Sequence, residues 1–103
     1  MEHVKWAVMA VHHNMEEARE KIMKAYKMRT DNKELADWQR DMAVAHINFN
    51  NAGVRLAQEQ IERARHDHDG NERHMGMLDV WEGWLHEIVG ETAEVKAIID
   101  SYK

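Results

Sequence analysis

The sequence contains no cysteine and no proline. Without thiols there is no disulfide framework, no thiolate zinc site and no cysteine nucleophile. Without proline, nothing inside the chain forbids very long helices. Phenylalanine occurs once, tyrosine twice and glycine five times. The single serine, Ser101, stands near the C-terminus, and no nucleophile–base constellation surrounds it. No glycine-rich loop is present to cradle a phosphate. No apolar run approaches the roughly 20 residues that span a bilayer. The opening Met1-Glu2-His3-Val4-Lys5 lacks the basic-then-apolar pattern of a secretory signal. A soluble, cytoplasmic protein without a membrane partner is therefore expected. The formal net charge of −5 disfavours nucleic-acid binding, which needs a positive surface.

What remains is a chain of 103 residues, the size of one domain spanning 1–103. Its apolar residues recur at alternating steps of three and four. Val4, Val8, Val11, Met15, Ala18, Ile22 and Ala25 form one series. Leu35, Trp38, Met42, Ala45, Phe49, Ala52 and Leu56 form a second, and Leu78, Trp81, Leu85, Ile88, Thr92, Val95, Ile99 and Tyr102 a third. This spacing keeps one stripe of a helix facing a partner over many turns, as in coiled coils. Strand-type alternation is absent.

Two breaks separate the series. Asp31, followed three residues later by Glu34, fits a capping box. Asp67-His68-Asp69-Gly70-Asn71 is a cluster of turn formers. The spacing thus predicts helices at about 3–29, 33–65 and 71–102, each roughly 40–48 Å long. Short connections make neighbours antiparallel, so the expected fold is an elongated, all-α, up-down-up three-helix bundle. Such a shape hides a small share of its apolar surface, which favours self-association.

Three features point the same way. Gly76, Gly83 and Gly90 sit seven apart inside the third helix, and Ala97 continues the row. Each interior glycine costs roughly 0.5–1 kcal/mol relative to alanine, so a row of them suggests that another backbone approaches there. Tolerated surface glycines are the alternative. The second helix carries Ala36, Ala43, Asn50, Ala57 and Ala64, also seven apart, beside Ile47, Val54 and Ile61. With the leucine–tryptophan stripe this makes an apolar and small arc of about 220°, where a peripheral helix needs little more than 100°. The second helix therefore has two faces to bury: one against its own neighbours, the other against a second copy unless those neighbours cover both. Trp6, with Met9 and His13 nearby, points away from the core stripe of the first helix and is an interface candidate. Expected interface residues are thus Trp6, Met9, His13, Ala43, Ile47, Val54, Ala57, Ile61, Gly76, Gly83, Gly90 and Ala97.

Eight histidines are many for this length. His12, Arg19, His46 and Asn50 fall on or beside apolar stripes and are expected to form a polar layer, which sets helix register or lines a small ligand pocket. No Glu-x-x-His occurs, so a ferritin-like di-iron centre is not expected. His66, His68 and Asp69 are weak metal candidates in the turn cluster. The calcium-loop register fails, because Arg65 and Gly76 occupy the positions that need acids.

Two resemblances accompany this pattern. The length, the three-helix plan and the ending Ile98-Ile99-Asp100-Ser101-Tyr102-Lys103 resemble the IIA subunits of lactose-type sugar phosphotransferases. That family's phosphorylated histidine lies in a His-x-x-Asp-His element. Here the corresponding stretch is Val80-Trp81-Glu82-Gly83-Trp84, so the resemblance implies shape and not carrier activity. Ala36-Asp37-Trp38-Gln39-Arg40-Asp41-Met42-Ala43, with His46, Phe49, Asn50 and Ala93-Glu94-Val95, is similar to stretches in short, uncharacterised helical proteins of Gram-positive bacteria and their phages. That resemblance implies a mobile-element or gut-bacterial origin and no activity.

The functional expectation is a non-enzymatic helical module, needing no cofactor, that self-associates through small-residue faces, a dimer being favoured. A metal- or ligand-binding bundle using the core histidines is one alternative. An acidic, phage-type inhibitor of a basic protein partner is the other.

Overall fold

The periodicity closes into three helices in the computed structural model, which describes residues 2–103. They are α1 (Glu2–Met28), α2 (Lys33–Asp67) and α3 (Glu72–Ser101), within two residues of the expected boundaries at every end. Together they form a rod with extents of 58 × 16 × 16 Å. The contacts fix its topology. Asn14 of α1 meets His46 of α2, and Val11 meets Gly53, so these helices run antiparallel. Arg19 meets Glu91 and Tyr26 meets Ile98, so α1 and α3 run parallel.

The helix starts are set by asparagine. Asn32 Oδ1 accepts from the Leu35 amide at 3.1 Å, and Asn71 Oδ1 from the His74 amide at 3.1 Å. Each satisfies a donor that the first helical turn leaves free. The cap of α2 is thus Asn32 rather than Asp31, and Glu34 lies in the first turn, where it complements the helix dipole. Between α2 and α3 the chain reverses at Gly70, whose φ of +85° belongs to the left-handed region that glycine tolerates best.

All seven residues of the α1 series are buried. In α3, Leu78, Leu85, Ile88, Val95 and Ile99 are buried, as is Tyr102 just beyond its end, with Trp81 and Thr92 half-buried. In α2 the expected phase is reversed. Ala36, Ala43, Asn50, Ala57 and Ala64 face inward with Ile47 and Ile61, while Leu35, Trp38, Phe49 and Leu56 face out. The reason is the closeness of α1. The large residues Met15 and Ile22 of α1 already fill space at the seam, and the alanines of α2 let the two backbones come together. Gly53 marks the tightest point: a Cβ there would lie 3.2 Å from Val11 Cγ2. Close approach of backbones is therefore a property of the α1–α2 seam. The glycine row of α3 has no atom of the chain within 4 Å of its would-be Cβ positions.

One end of the rod is pinned by the C-terminus. Tyr102 packs edge-on against Tyr26 with ring centroids 5.3 Å apart, and its hydroxyl donates to Asp37 Oδ1 at 3.2 Å. The Tyr26 hydroxyl lies 2.8 Å from Ser101 Oγ. These contacts tie all three helices together within one turn.

Two outcomes are expected. Gly83→Ala raises stability by about 0.5–1 kcal/mol, whereas Gly53→Leu lowers it by about 1–3 kcal/mol through overpacking; denaturant melts read both. Burial first, and then the bond to Asp37, hold the Tyr102 phenol above its ordinary value. A raised value stabilises the fold fully below the unfolded pKa of about 10, and that contribution is lost as pH rises through the folded one. Alkaline melts above pH ~10 should therefore fall more steeply for the wild type than for Tyr102→Phe, which keeps the ring.

Candidate functional site

The polar residues expected to share a core layer are held apart. His46 Nδ1 lies 3.3 Å from Asn14 Oδ1, on the α1–α2 side. His12 Nε2 lies 3.4 Å from Glu16, and the His12 ring packs on Trp84 with centroids 5.2 Å apart. Arg19 is half-exposed and reaches Glu91 across α1 and α3 at 3.7 Å. Only Asn50 is fully buried; its amide donates to Thr92 Oγ1 at 3.3 Å, and Thr92 in turn donates to the Ile88 carbonyl at 2.7 Å. Asn50 Oδ1 has no hydrogen-bond partner. Each group answers a local need, so no common pocket forms. The reason is geometric: His12 and Arg19 stand on the α3 side of α1, whereas Asn14, the partner of His46, stands on the α2 side.

The turn histidines do not gather a metal set. His66 and Asp69 are exposed, and the His68 ring stacks on His74 at 4.3 Å and 16°. Among the described residues no three His, Asp or Glu side chains come together. Two clefts of about 270 and 260 Å³ run between α2 and α3. Both fall below the roughly 300–1,000 Å³ of small-molecule pockets. A broader depression of about 710 Å³ follows α1 past Met9, His12, His13 and Met23. It is lined by one helix and so encloses nothing. Comparison with protein families, curated proteins and solved structures found no match. No helix of the described residues is long and apolar enough to cross a membrane.

The interface candidates divide into three groups. Trp6 is 63% exposed and stands outward with Met9 and His13, as read from the spacing. Ala43, Ile47, Ala57 and Ile61 are buried within the chain itself, and Val54 lines the α2–α3 cleft half-buried. Ala43, Ala57, Ile47 and Ile61 thus serve the chain's own core, the alanines at the seam with α1 and the isoleucines toward α3, while Val54 stays partly open at the cleft. Gly76, Gly83, Gly90 and Ala97 face away from the bundle. Helical spacing puts Arg73, Val80, Glu87 and Glu94 on one side of that row and Asp79 and His86 on the other. Seven carboxylates and two basic side chains lie on α3, so this helix alone matches the net charge of −5 of the whole chain.

The face that sequence spacing had turned inward is the conspicuous one. Leu35 is 41% exposed, Trp38 54%, Phe49 75% and Leu56 51%. Met42 is half-buried between them, and Ala45 and Ala52 are exposed in the gaps. The stripe is about 32 Å long, and Glu59 and Arg63 close it at its C-terminal end. At ~150–250 Å² for a large side chain, these four exposures leave on the order of 450 Å² of apolar surface in water. That lies within the roughly 300–600 Å² of the largest patches on typical monomers, which are often functional. The 220° arc already contained this face; the sequence carried no direct sign of which half would turn inward except Gly53 lying among the alanines.

The Asn50–Thr92 pair is testable by a double-mutant cycle. Thr92→Val leaves the buried Asn50 amide without its acceptor and should cost about 1–3 kcal/mol. In an Asn50→Leu background the same change should cost close to nothing.

Proposed function

We propose that this chain is a non-enzymatic helical interaction module that docks other helical surface through the outward face of α2. The observation that carries the reading is the stripe of Leu35, Trp38, Phe49 and Leu56, left bare although α2 is otherwise well packed. At about 25 cal/mol per Å², covering a face of this size is worth on the order of 10 kcal/mol before the costs of association. An aromatic pair at Trp38 and Phe49, ringed by aliphatic and small residues, has the composition of a binding hot spot. The ligand-binding alternative finds no support in the separated positions of His12, His46 and Asn50. The acidic-inhibitor alternative is favoured by one observation, the concentration of negative charge on α3; salt-sensitive binding of a basic protein by that helix would be its signature.

Replacing Trp38, Phe49 and Leu56 by glutamine together should leave helicity intact. Each change should shift stability by no more than about 0.5 kcal/mol, since exposed sites contribute little to the fold. Docking should be lost. It is read in intact cells by a photoreactive amino acid placed at Met42: a discrete protein adduct is expected with the native stripe and none with the triple variant. Absence of any adduct, or one that survives the triple change, contradicts the reading.

A further inference from the structure

We infer that the partner for this face is a second copy of the chain, its α2 lying antiparallel to the first across a two-fold axis through Ala45. The inference rests on the docking role of the stripe and adds its occupant and register.

Three observations support it. First, the stripe is complementary to its own reversal. Ala45 lies at the centre of the run from Leu35 to Leu56. Reversal about Ala45 sets Trp38 against Ala52 of the second copy, Met42 against Phe49 and Leu35 against Leu56. Ala45 then meets Ala45 at the crossing, which lets the two helices approach, and Trp38 lies over the small Ala52 on either side of it. A parallel pairing would set Trp38 on Trp38 and Phe49 on Phe49, with Ala45 and Ala52 facing gaps. A slip of one heptad would bring Trp38 against Glu59, so the end of the stripe also fixes the register.

Second, the charges flanking the stripe are arranged for the same pairing. Glu34, Asp41 and Arg55 share one flank of α2, seven residues or multiples of seven apart. Arg55 is exposed and pairs with no carboxylate among the described residues, and Glu34 pairs with no base. Antiparallel docking sets each Arg55 level with Leu35 of the other copy and so beside its Glu34, with Asp41 about 9 Å further along the same flank. Parallel docking would turn this flank toward the opposite flank of the second copy, Gln39, His46, Gly53 and Gln60, and leave Arg55 and Glu34 without partners.

Third, the area fits. A standard interface buries about 800 Å² per partner, of which rather more than half is apolar. The stripe offers on the order of 450 Å² of apolar surface per copy, so one second copy is enough to cover it.

The chain has no cysteine, so single cysteines report the pairing without background. Ala45→Cys should cross-link efficiently to a covalent dimer under mild oxidation or with a short bismaleimide. Ala52→Cys should not, because two copies of that position stand about 21 Å apart along the pair. Gly83→Cys should not cross-link either. Arg55→Glu should weaken the dimer about tenfold, and Glu34→Lys with Asp41→Lys added to it should restore the affinity. Equal cross-linking at Ala45 and Ala52 overturns the antiparallel register, and cross-linking at Gly83 alone moves the seam to α3. If the chain stays monomeric yet the adduct at Met42 joins a different protein, the docking face stands and its occupant is not a second copy. A monomeric chain that sediments with phosphatidylglycerol vesicles through the same stripe overturns it in favour of a lipid surface. A monomer with no adduct at all removes both readings.

Discussion

The close seam between α1 and α2 governs the rest of the molecule. Where a helix presents alanine every seventh residue, its neighbour's backbone comes in until larger side chains stop it. Here Val11 stops against Gly53, where a single extra carbon would crowd it at 3.2 Å. Once α1 has taken the alanine face, α3 packs on the remaining flank through Ile47, Ile61 and the cleft beside Val54. The leucine, tryptophan and phenylalanine residues of α2 are then left on the far side. Their exposure is a consequence of the seam, not a defect of packing.

Much of the architecture was legible in the residues. The absence of proline, the alternating spacing and two clusters of turn formers located three helices and their limits. The buried series of α1 and α3 followed directly, because each has one dominant apolar stripe. In α2 two stripes compete, and hydrophobicity favours the wrong one. Trp38 and Phe49 bury more area than any alanine, but only the alanines allow the neighbouring backbone to approach. That choice depends on facing residues in another helix, and spacing along one helix does not contain it. The same limit applied to the glycines. The row of three in α3 meets no atom of its own chain, and the glycine in close contact within the chain is Gly53, whose significance lies in Val11. The polar residues illustrate a third form of this limit. His12, Arg19, His46 and Asn50 lie near the stripes, but each meets a separate neighbour from elsewhere in sequence — Trp84, Glu91, Asn14 and Thr92 in turn — and Asn50 Oδ1 and His12 Nδ1 stay without a hydrogen-bond partner.

The expectation of an over-wide apolar arc on α2 survives with its two faces exchanged. Small residues hold the chain together, and large ones are offered outward. The alanine seam and the tyrosine cluster around Tyr26 and Tyr102 set the fold, and under the proposed function the outward stripe binds without weakening it. The charge distribution reinforces the arrangement. α3 carries most of the excess acid. α2 has nearly balanced charges, with acids and Arg55 segregated along one flank.

The central claim is that the α2 stripe is bare in one copy and covered by another. Hydroxyl-radical footprinting across a dilution series tests it most directly. Trp38 and Phe49 should be oxidised rapidly at low concentration and become protected as concentration rises, while Trp6 reacts at the same rate throughout. Protection of Trp38 and Phe49 at every dilution, or at none, would contradict the account.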